Sequence, residues 1–566
     1  MNSKMQICNS DNFLMKQLLC LFIFISISIT NVWSQQLPQN WHLLDYKEDS
    51  YYGISLKKAY QFLQQKKITA KPTIVAVLDS GVDTLHEDLK NILWRNPKEI
   101  PYNNIDDDKN GYIDDVFGWN FLGNSKGENV SKASSEKARI YYTFKEKFKQ
   151  TTVDTSIFNS VEKKQYELWN KAAKELKYSA DDELELNLIQ LTVKTIKRLD
   201  EVLKKEMSVN TYTTHELEKY EPTTALGKQS KYGYLTSMRL LEIDLDETNI
   251  NIISQLDDYI DIKKSELESR SVEPVNYRKN IIADDENNIN DKFYGNGDVL
   301  GPTPTHGTHV TGIIAAERNN KLGIDGVADQ AKIMMVRVVP EGDEYDKDVA
   351  LGIFYAVDNG AKVINMSFGK GFSPQKYWVD SALQYAEKKD VIVIHAAGND
   401  AINLDTTNSY PTPTLLDKTK LSNFITVGAS SDFNISSSSL VANFSNYGKN
   451  TVDVFAPGVK IYSTLPGLNH YGNQQGTSMA APIVSGIAAL LRSYFPNLTA
   501  QQIKNIILNS VTKPTEISFE LESSSTNNKP SLIKNACASE GIVNAAKAVE
   551  LAYQLEQDLK NKIKNK

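Results

Sequence analysis

The sequence predicts an α/β protein: a parallel sheet with helices on both faces, interrupted by a helical insertion. Three observations carry this. First, "TIVAVLDSG" at 73–81, "AKIMMVRVV" at 331–339, "AKVINMSFG" at 361–369, "DVIVIHAAGN" at 390–399 and "NFITVGAS" at 423–430 are short apolar runs closed by turn residues. Second, amphipathic helical patterns such as 347–358 and 376–388 alternate with them, which implies parallel strands buried under helices on both sides. Third, the pattern breaks over roughly 125–275, where Lys and Glu dominate and apolar residues recur at helical spacing. One stripe is Leu184, Leu188, Leu191, Thr195, Leu199 and Val202. A second is Ile252, Ile253, Leu256, Tyr259 and Ile260, and a third is Val161, Leu168, Ala172 and Leu176. These predict a helical hairpin or small bundle, after which the α/β pattern resumes.

The N-terminus reads as a leader. Lys4 and Lys16 precede "LLCLFIFISISIT" at 18–30, which is followed by a cleavage-compatible Ser34. That apolar run is about 13 residues, short of the ~20 needed to cross a bilayer, so cleavage near Ser34 and export are expected. The destination is the extracellular space or the periplasm and cell envelope, and no later segment is apolar enough to span a membrane. Cys8 and Cys20 fall in the leader. Only Cys537 is left in the mature chain, so no internal disulfide can form. Rigidity must come from elsewhere, and bound metal is a natural source. A net charge of −7 over 566 residues, with Lys and Arg spread throughout, argues against a nucleic-acid partner.

In parallel α/β sheets ligands sit beyond the carboxyl ends of the strands, where Asp79, Ser367 and Asn399 all stand. "THGTHVTG" at 305–312 adds His306 and His309, three positions apart. That spacing suits a metal pair, a proton-transfer base with a bystander, or two packing residues. Ser478 opens an apolar helix in "GTSMAAP", where free backbone N–H groups suit a developing oxyanion and Gly476 permits close approach. A serine hydroxyl needs a base, and that base needs a buried carboxylate to hold its tautomer.

"VLDSGVD" at 77–83, "HGTHVTG" at 306–312 and "GTSMAAP" at 476–482, in that order, resemble the three signatures of the subtilase family of serine endopeptidases. The resemblance covers about 35–124 and 276–550. It implies a subtilisin-like three-layer fold in which Asp79 orients, His306 is the base and Ser478 the nucleophile, leaving His309 structural. "HAAGND" makes Asn399 the oxyanion donor alongside the Ser478 N–H. "NMSFGK" makes Ser367, Phe368 and Gly369 a wall of the cleft, and Ser409 falls at the floor of the primary specificity pocket. "NWHLLDY" and "SLKKAYQFLQ" read as the catalytic domain's own beginning, so a standard folding prodomain is not expected.

Two calcium sites are expected. By the resemblance, one uses the side chains of Asp88 and Asn320 with the carbonyls of Arg318, Leu322 and Ile324. The other is read from "DDDKNGYIDD" at 106–115, where Asp106, Asp108, Asn110, the Tyr112 carbonyl and Asp114 occupy calcium-loop positions around Gly111. Position 12 is Phe117 and no helix follows, so this is not an ordinary EF-hand. "DDENNINDKFYGN" at 284–296 is a weaker match, without the turn glycine.

The expected organisation is a signal peptide at 1–34, a catalytic domain in two parts at 35–124 and 276–566, and a helical insertion at 125–275. The expected activity is peptide-bond hydrolysis on polypeptide substrates. The alternatives are a selective processing peptidase, or a scaffold that has kept the catalytic residues, with a protein partner on the insertion.

Overall fold

The apolar runs lie side by side as β1 (Thr73–Asp79), β2 (Gly118–Asn120), β3 (Ala331–Arg337), β4 (Val363–Met366), β5 (Ile392–Ala396), β6 (Phe424–Ser430) and β7 (Val454–Pro457). They form a seven-stranded sheet in the order β2-β3-β1-β4-β5-β6-β7. Every pairing in it is parallel. Strands β2 and β7 escaped sequence reading because three or four residues show no period. Pro457 closes β7 on the sheet edge, where a missing N–H is tolerated. A separate antiparallel hairpin joins β8 (Ile461–Leu465) to β9 (His470–Gln474).

This computed structural model describes residues 37–149, 154–176, 180–241, 248–435, 439–514 and 532–564. The leader with Cys8 and Cys20 lies outside them. Residues 40–566 make one compact unit. Cys537 is buried and free. Among the described residues no helix is long and apolar enough to cross a membrane.

Helices α1 (Glu136–Phe148), α2 (Ser160–Glu175), α3 (Ala180–Met207), α4 (Ala225–Leu240) and α5 (Asn249–Glu268) occupy the Lys/Glu-rich stretch. They are followed by α6 (Thr305–Ala315), α7 (Asp346–Asp358), α8 (Lys376–Lys388) and α9 (Thr477–Tyr494). Alternate strand residues point to opposite faces of the sheet. Ala76, Leu78, Met334, Val336, Ile364 and Val393 pack with Val349, Ile353, Ala382 and Leu383 of α7 and α8. Helix α9 crosses β1 and β3 to β7 and also packs against α6.

One expected stripe is out of phase. On α3, Leu184, Leu188 and Leu191 are 58, 56 and 62% exposed, while Val193, Ile196 and Leu203 are buried. The buried row faces Tyr212, Leu217, Tyr234, Met238 and Ile252. It includes the charged Asp200, which accepts hydrogen bonds from the Tyr212 hydroxyl and the Asn249 amide, both at 2.8 Å. Two apolar rows at the same spacing run along this helix, and the partners decide which is buried. Val161 is likewise exposed, whereas Ala172 and Leu176 of the same stripe are buried.

Candidate active site

The carboxyl end of β1 delivers Asp79, which is buried. Its Oδ1 accepts from the Ser80 N–H at 2.7 Å and pairs with His306 Nδ1 at 2.7 Å. Its Oδ2 is buried without a partner among the described residues. His306 sits in the first turn of α6, and Gly307 lets that turn press on the strand end. A Cβ there would lie 2.1 Å from the Gly81 carbonyl oxygen and 3.2 Å from the Asp79 Cβ. Burial pulls the His306 pKa down, but the Asp79 charge and hydrogen bond outweigh it and leave it raised above 6.5.

His309 faces the other way. It is fully buried, its Nε2 lies 3.1 Å from the Gly472 carbonyl, and burial drives its pKa down to about 3. A neutral ring donating to that carbonyl is a packing residue.

Ser478 lies at the start of α9, capped by Gly476 at φ 150. Its Oγ donates to the Ser367 carbonyl at 2.9 Å, and the Ser367 Oγ donates to the Ser478 carbonyl at 3.0 Å. Helix start and strand end are thus locked together. Behind them, Asn365 donates to the Ser367 Oγ at 3.0 Å and accepts from the Ser485 Oγ at 2.8 Å. Asn399 is exposed just past β5. Its Oδ1 accepts from the Thr477 N–H and hydroxyl, both at 2.9 Å. That fixes the amide with Nδ2 as its donor side, next to the Thr477–Ser478 helix start.

Ser367 is buried, Phe368 half-buried and Gly369 exposed. Ser409 adjoins this segment: a Cβ on Gly369 would come 2.8 Å from the Ser409 Oγ. The next residues, Lys370 and Tyr410, exchange backbone hydrogen bonds at 3.2 and 2.8 Å. Lys370 itself is buried, a feature with no signal in the local sequence.

Of the two calcium readings, the structure brings together Asp88 and Asn320. The Asp88 carboxylate accepts from the Asn320 amide at 2.6 Å, from the Ile324 N–H at 3.3 Å and from the Tyr471 hydroxyl at 3.3 Å. Asn320 Oδ1 is occupied by the Leu322 N–H at 2.8 Å, and the Arg318 guanidinium donates to the Gly326 carbonyl at 2.7 Å.

The 106–115 loop differs. Asp106 and Asp108 present carboxylate oxygens within 4.8 Å of one another and of Glu99. Glu99 is 7% exposed and its Oε2 is buried without a partner among the described residues. An unpaired buried carboxylate oxygen beside two more carboxylates fits a hard cation. Glu99 is therefore the ligand candidate that sequence reading missed. Asn110 Oδ1 accepts from the Tyr112 N–H at 2.7 Å. Asp114 turns away, accepting from the N–H groups of Asn103 and Asn104 at 3.2 and 2.8 Å.

Comparisons with known proteins bear on the family. The subtilase family model matches residues 70–536. A thermophilic serine proteinase of Bacillus sp. (strain AK1) is 42% identical over 189 residues, 33% of this chain and 42% of that protein. Thermitase of Thermoactinomyces vulgaris is 43% identical over 209 residues, 37% of this chain and 67% of its own. Subtilisin NAT of Bacillus subtilis subsp. natto is 40% identical over 212 residues, 37% of this chain and 51% of its own. The matched segments thus span between 42 and 67% of these relatives' lengths. With a family model spanning most of its length, the chain belongs to the subtilase family of serine-type endopeptidases.

Proposed function

We propose that this chain is an exported serine endopeptidase that cleaves polypeptides through an acyl-enzyme. The observation that carries this reading is the 2.7 Å contact of His306 Nδ1 with the buried Asp79 carboxylate, on a helix packed against the one that opens at Ser478. With its proton on Nδ1 and aimed at Asp79, the imidazole keeps Nε2 as an acceptor. Ser478 Oγ releases the Ser367 carbonyl, passes its proton to Nε2 and attacks the scissile carbonyl carbon. The oxyanion then meets the Ser478 N–H and the Asn399 Nδ2. His306 returns the proton to the leaving amine, and water repeats the sequence on the acyl-enzyme. The substrate backbone lies along Ser367–Gly369, with the side chain before the cut directed toward Ser409.

Calcium belongs to the same reading as a structural ion, held by Glu99, Asp106 and Asp108. There it would cross-link the loop that leads into β2. The catalytic domain comprises 35–124 and 276–566, with 125–275 inserted. The leader at 1–34 directs export to the extracellular space or cell envelope. Among the described residues no observation favours the processing or scaffold alternative.

The test is Ser478→Ala. Peptide hydrolysis should fall by about 10⁶ in turnover with the fold intact by circular dichroism. Cleavage at the wild-type rate would overturn the mechanism.

A further inference from the structure

We propose that the first two helices of the insertion, through Glu136 on Lys370 and Lys171 on Gly371, hold the substrate-pairing wall Ser367–Gly369 in place. They are therefore part of the substrate site. This rests on the peptidase reading above.

Lys370 immediately follows the wall, and its ammonium is withdrawn from solvent. It meets Glu136 Oε2 at 2.7 Å, Asp346 Oδ1 at 2.9 Å and the Glu344 carbonyl at 2.6 Å. Glu136 is the first residue of α1, so its carboxylate also benefits from the positive helix end. Its backbone N–H donates to Asp343 at 2.6 Å, and Arg139 donates through Nη2 to the same Oε2 at 2.6 Å and through Nε to Oε1 at 3.3 Å. Burial alone would raise the Glu136 carboxyl, but Arg139 and Lys370 outweigh it and hold it below the usual range.

One residue on, Lys171 of α2 donates to the Gly371 carbonyl at 3.2 Å and lies 4.3 Å over the Phe372 ring. Phe372 is buried in a cluster with Ile140 of α1 and Ala172 of α2. The wall's end is therefore clamped by charge from one insertion helix and by packing from two. A solvated spacer would not bury ionic groups in this way. Removing one partner of a buried ionic cluster leaves the other charges uncompensated, which is costly. Helices α3 to α5, by contrast, share a separate core around Ile196, Leu203, Tyr212, Tyr234 and Ile252.

The consequence is specific. Through the Lys370–Tyr410 backbone pair the clamp also sets the loop carrying Ser409. Loosening it should displace the wall at Phe368 and Gly369, while the Ser367–Ser478 hydrogen bonds keep Ser478 in place and Asp79 and His306 stay where they are. Small misplacements of a positioning wall are strongly felt by substrate.

The test is Glu136→Gln in the full chain, with Lys171→Met as a milder second variant. For peptide substrates, KM should rise about five- to tenfold while kcat stays within about twofold. Hydrogen exchange at the Lys370 and Tyr410 amides should quicken by about tenfold, while the Val338 and Val339 amides bonded to Asp79 stay protected. Glu136→Gln combined with Lys370→Met should cost less than the two separate losses together. Unchanged KM and unchanged exchange at Lys370 and Tyr410 in folded Glu136→Gln overturn the proposal, as does equal exchange loss throughout the chain. If Glu136→Gln does not fold, the same two readouts on Lys171→Met decide. Failure of the peptidase reading is seen separately, as wild-type protein whose Ser478 does not react with a small phosphonyl fluoride. The exchange comparison then still decides whether the clamp holds the wall.

Discussion

Asp79 and His306 are 227 residues apart in the chain and 2.7 Å apart in the structure. The contact raises the His306 pKa, and the sign of two pH effects follows. As the proposed base His306 must be neutral, so activity should grow as pH rises through the folded-state pKa. The stability it draws from Asp79 runs the other way: fully present below the unfolded value near 6.5, and lost as pH rises through the raised value. The acid limb of kcat/KM should therefore have its midpoint above 6.5. Asp79→Asn should lower that midpoint and reduce kcat by about 10⁴, through loss of the tautomer. A midpoint unmoved by Asp79→Asn in pH–rate profiles would count against the pair.

Asn399 is held by Thr477 through its oxygen, which leaves its amide hydrogens for the oxyanion contact proposed above. Asn399→Ala should lower kcat by about 10² to 10³ with little change in KM. Asn399→Asp, which keeps the acceptor for Thr477 but loses the donor, should lose a similar amount. Steady-state kinetics on one peptide substrate separates these outcomes from a simple loss of order at Thr477.

Calcium should raise the melting temperature, because a cation that binds only the folded state stabilises it by about 2.7 kcal/mol at a hundred times its Kd. Glu99→Gln or Asp106→Asn should abolish most of that shift, whereas Asp88→Asn should leave it. Melting curves in chelator and in millimolar calcium are the check. A shift retained by Glu99→Gln and lost by Asp88→Asn would reverse the assignment.

On α3 the buried and exposed apolar rows have opposite tolerance. Ile196→Ala should cost about 2–5 kcal/mol, as a buried truncation does. Leu188→Gln should change stability by no more than about 0.5 kcal/mol. Denaturant titration of both variants tells the rows apart.

The placement of Asp79, His306 and Ser478 at the sheet's carboxyl edge was legible because each group travels with its own local requirements. Asp79 ends a β-branched run, Gly307 follows His306 so that the helix can touch that strand, and Gly476 precedes Ser478 at a helix start. Short-range sterics and hydrogen bonding demand those neighbours, so they leave contiguous motifs. Five of the seven parallel strands were legible for the same reason, since strands buried on both faces must be apolar throughout. What only the tertiary structure decided is the set of partners that share no local rule. Glu99 joins Asp106 and Asp108 through the path of a turn. Glu136 meets Lys370 across 234 positions. The buried row of α3 was chosen over an equally spaced one by Tyr212 and Asn249 reaching Asp200. Spacing along a helix states that a face exists; which face is buried depends on what packs against it, and that is a property of the folded chain.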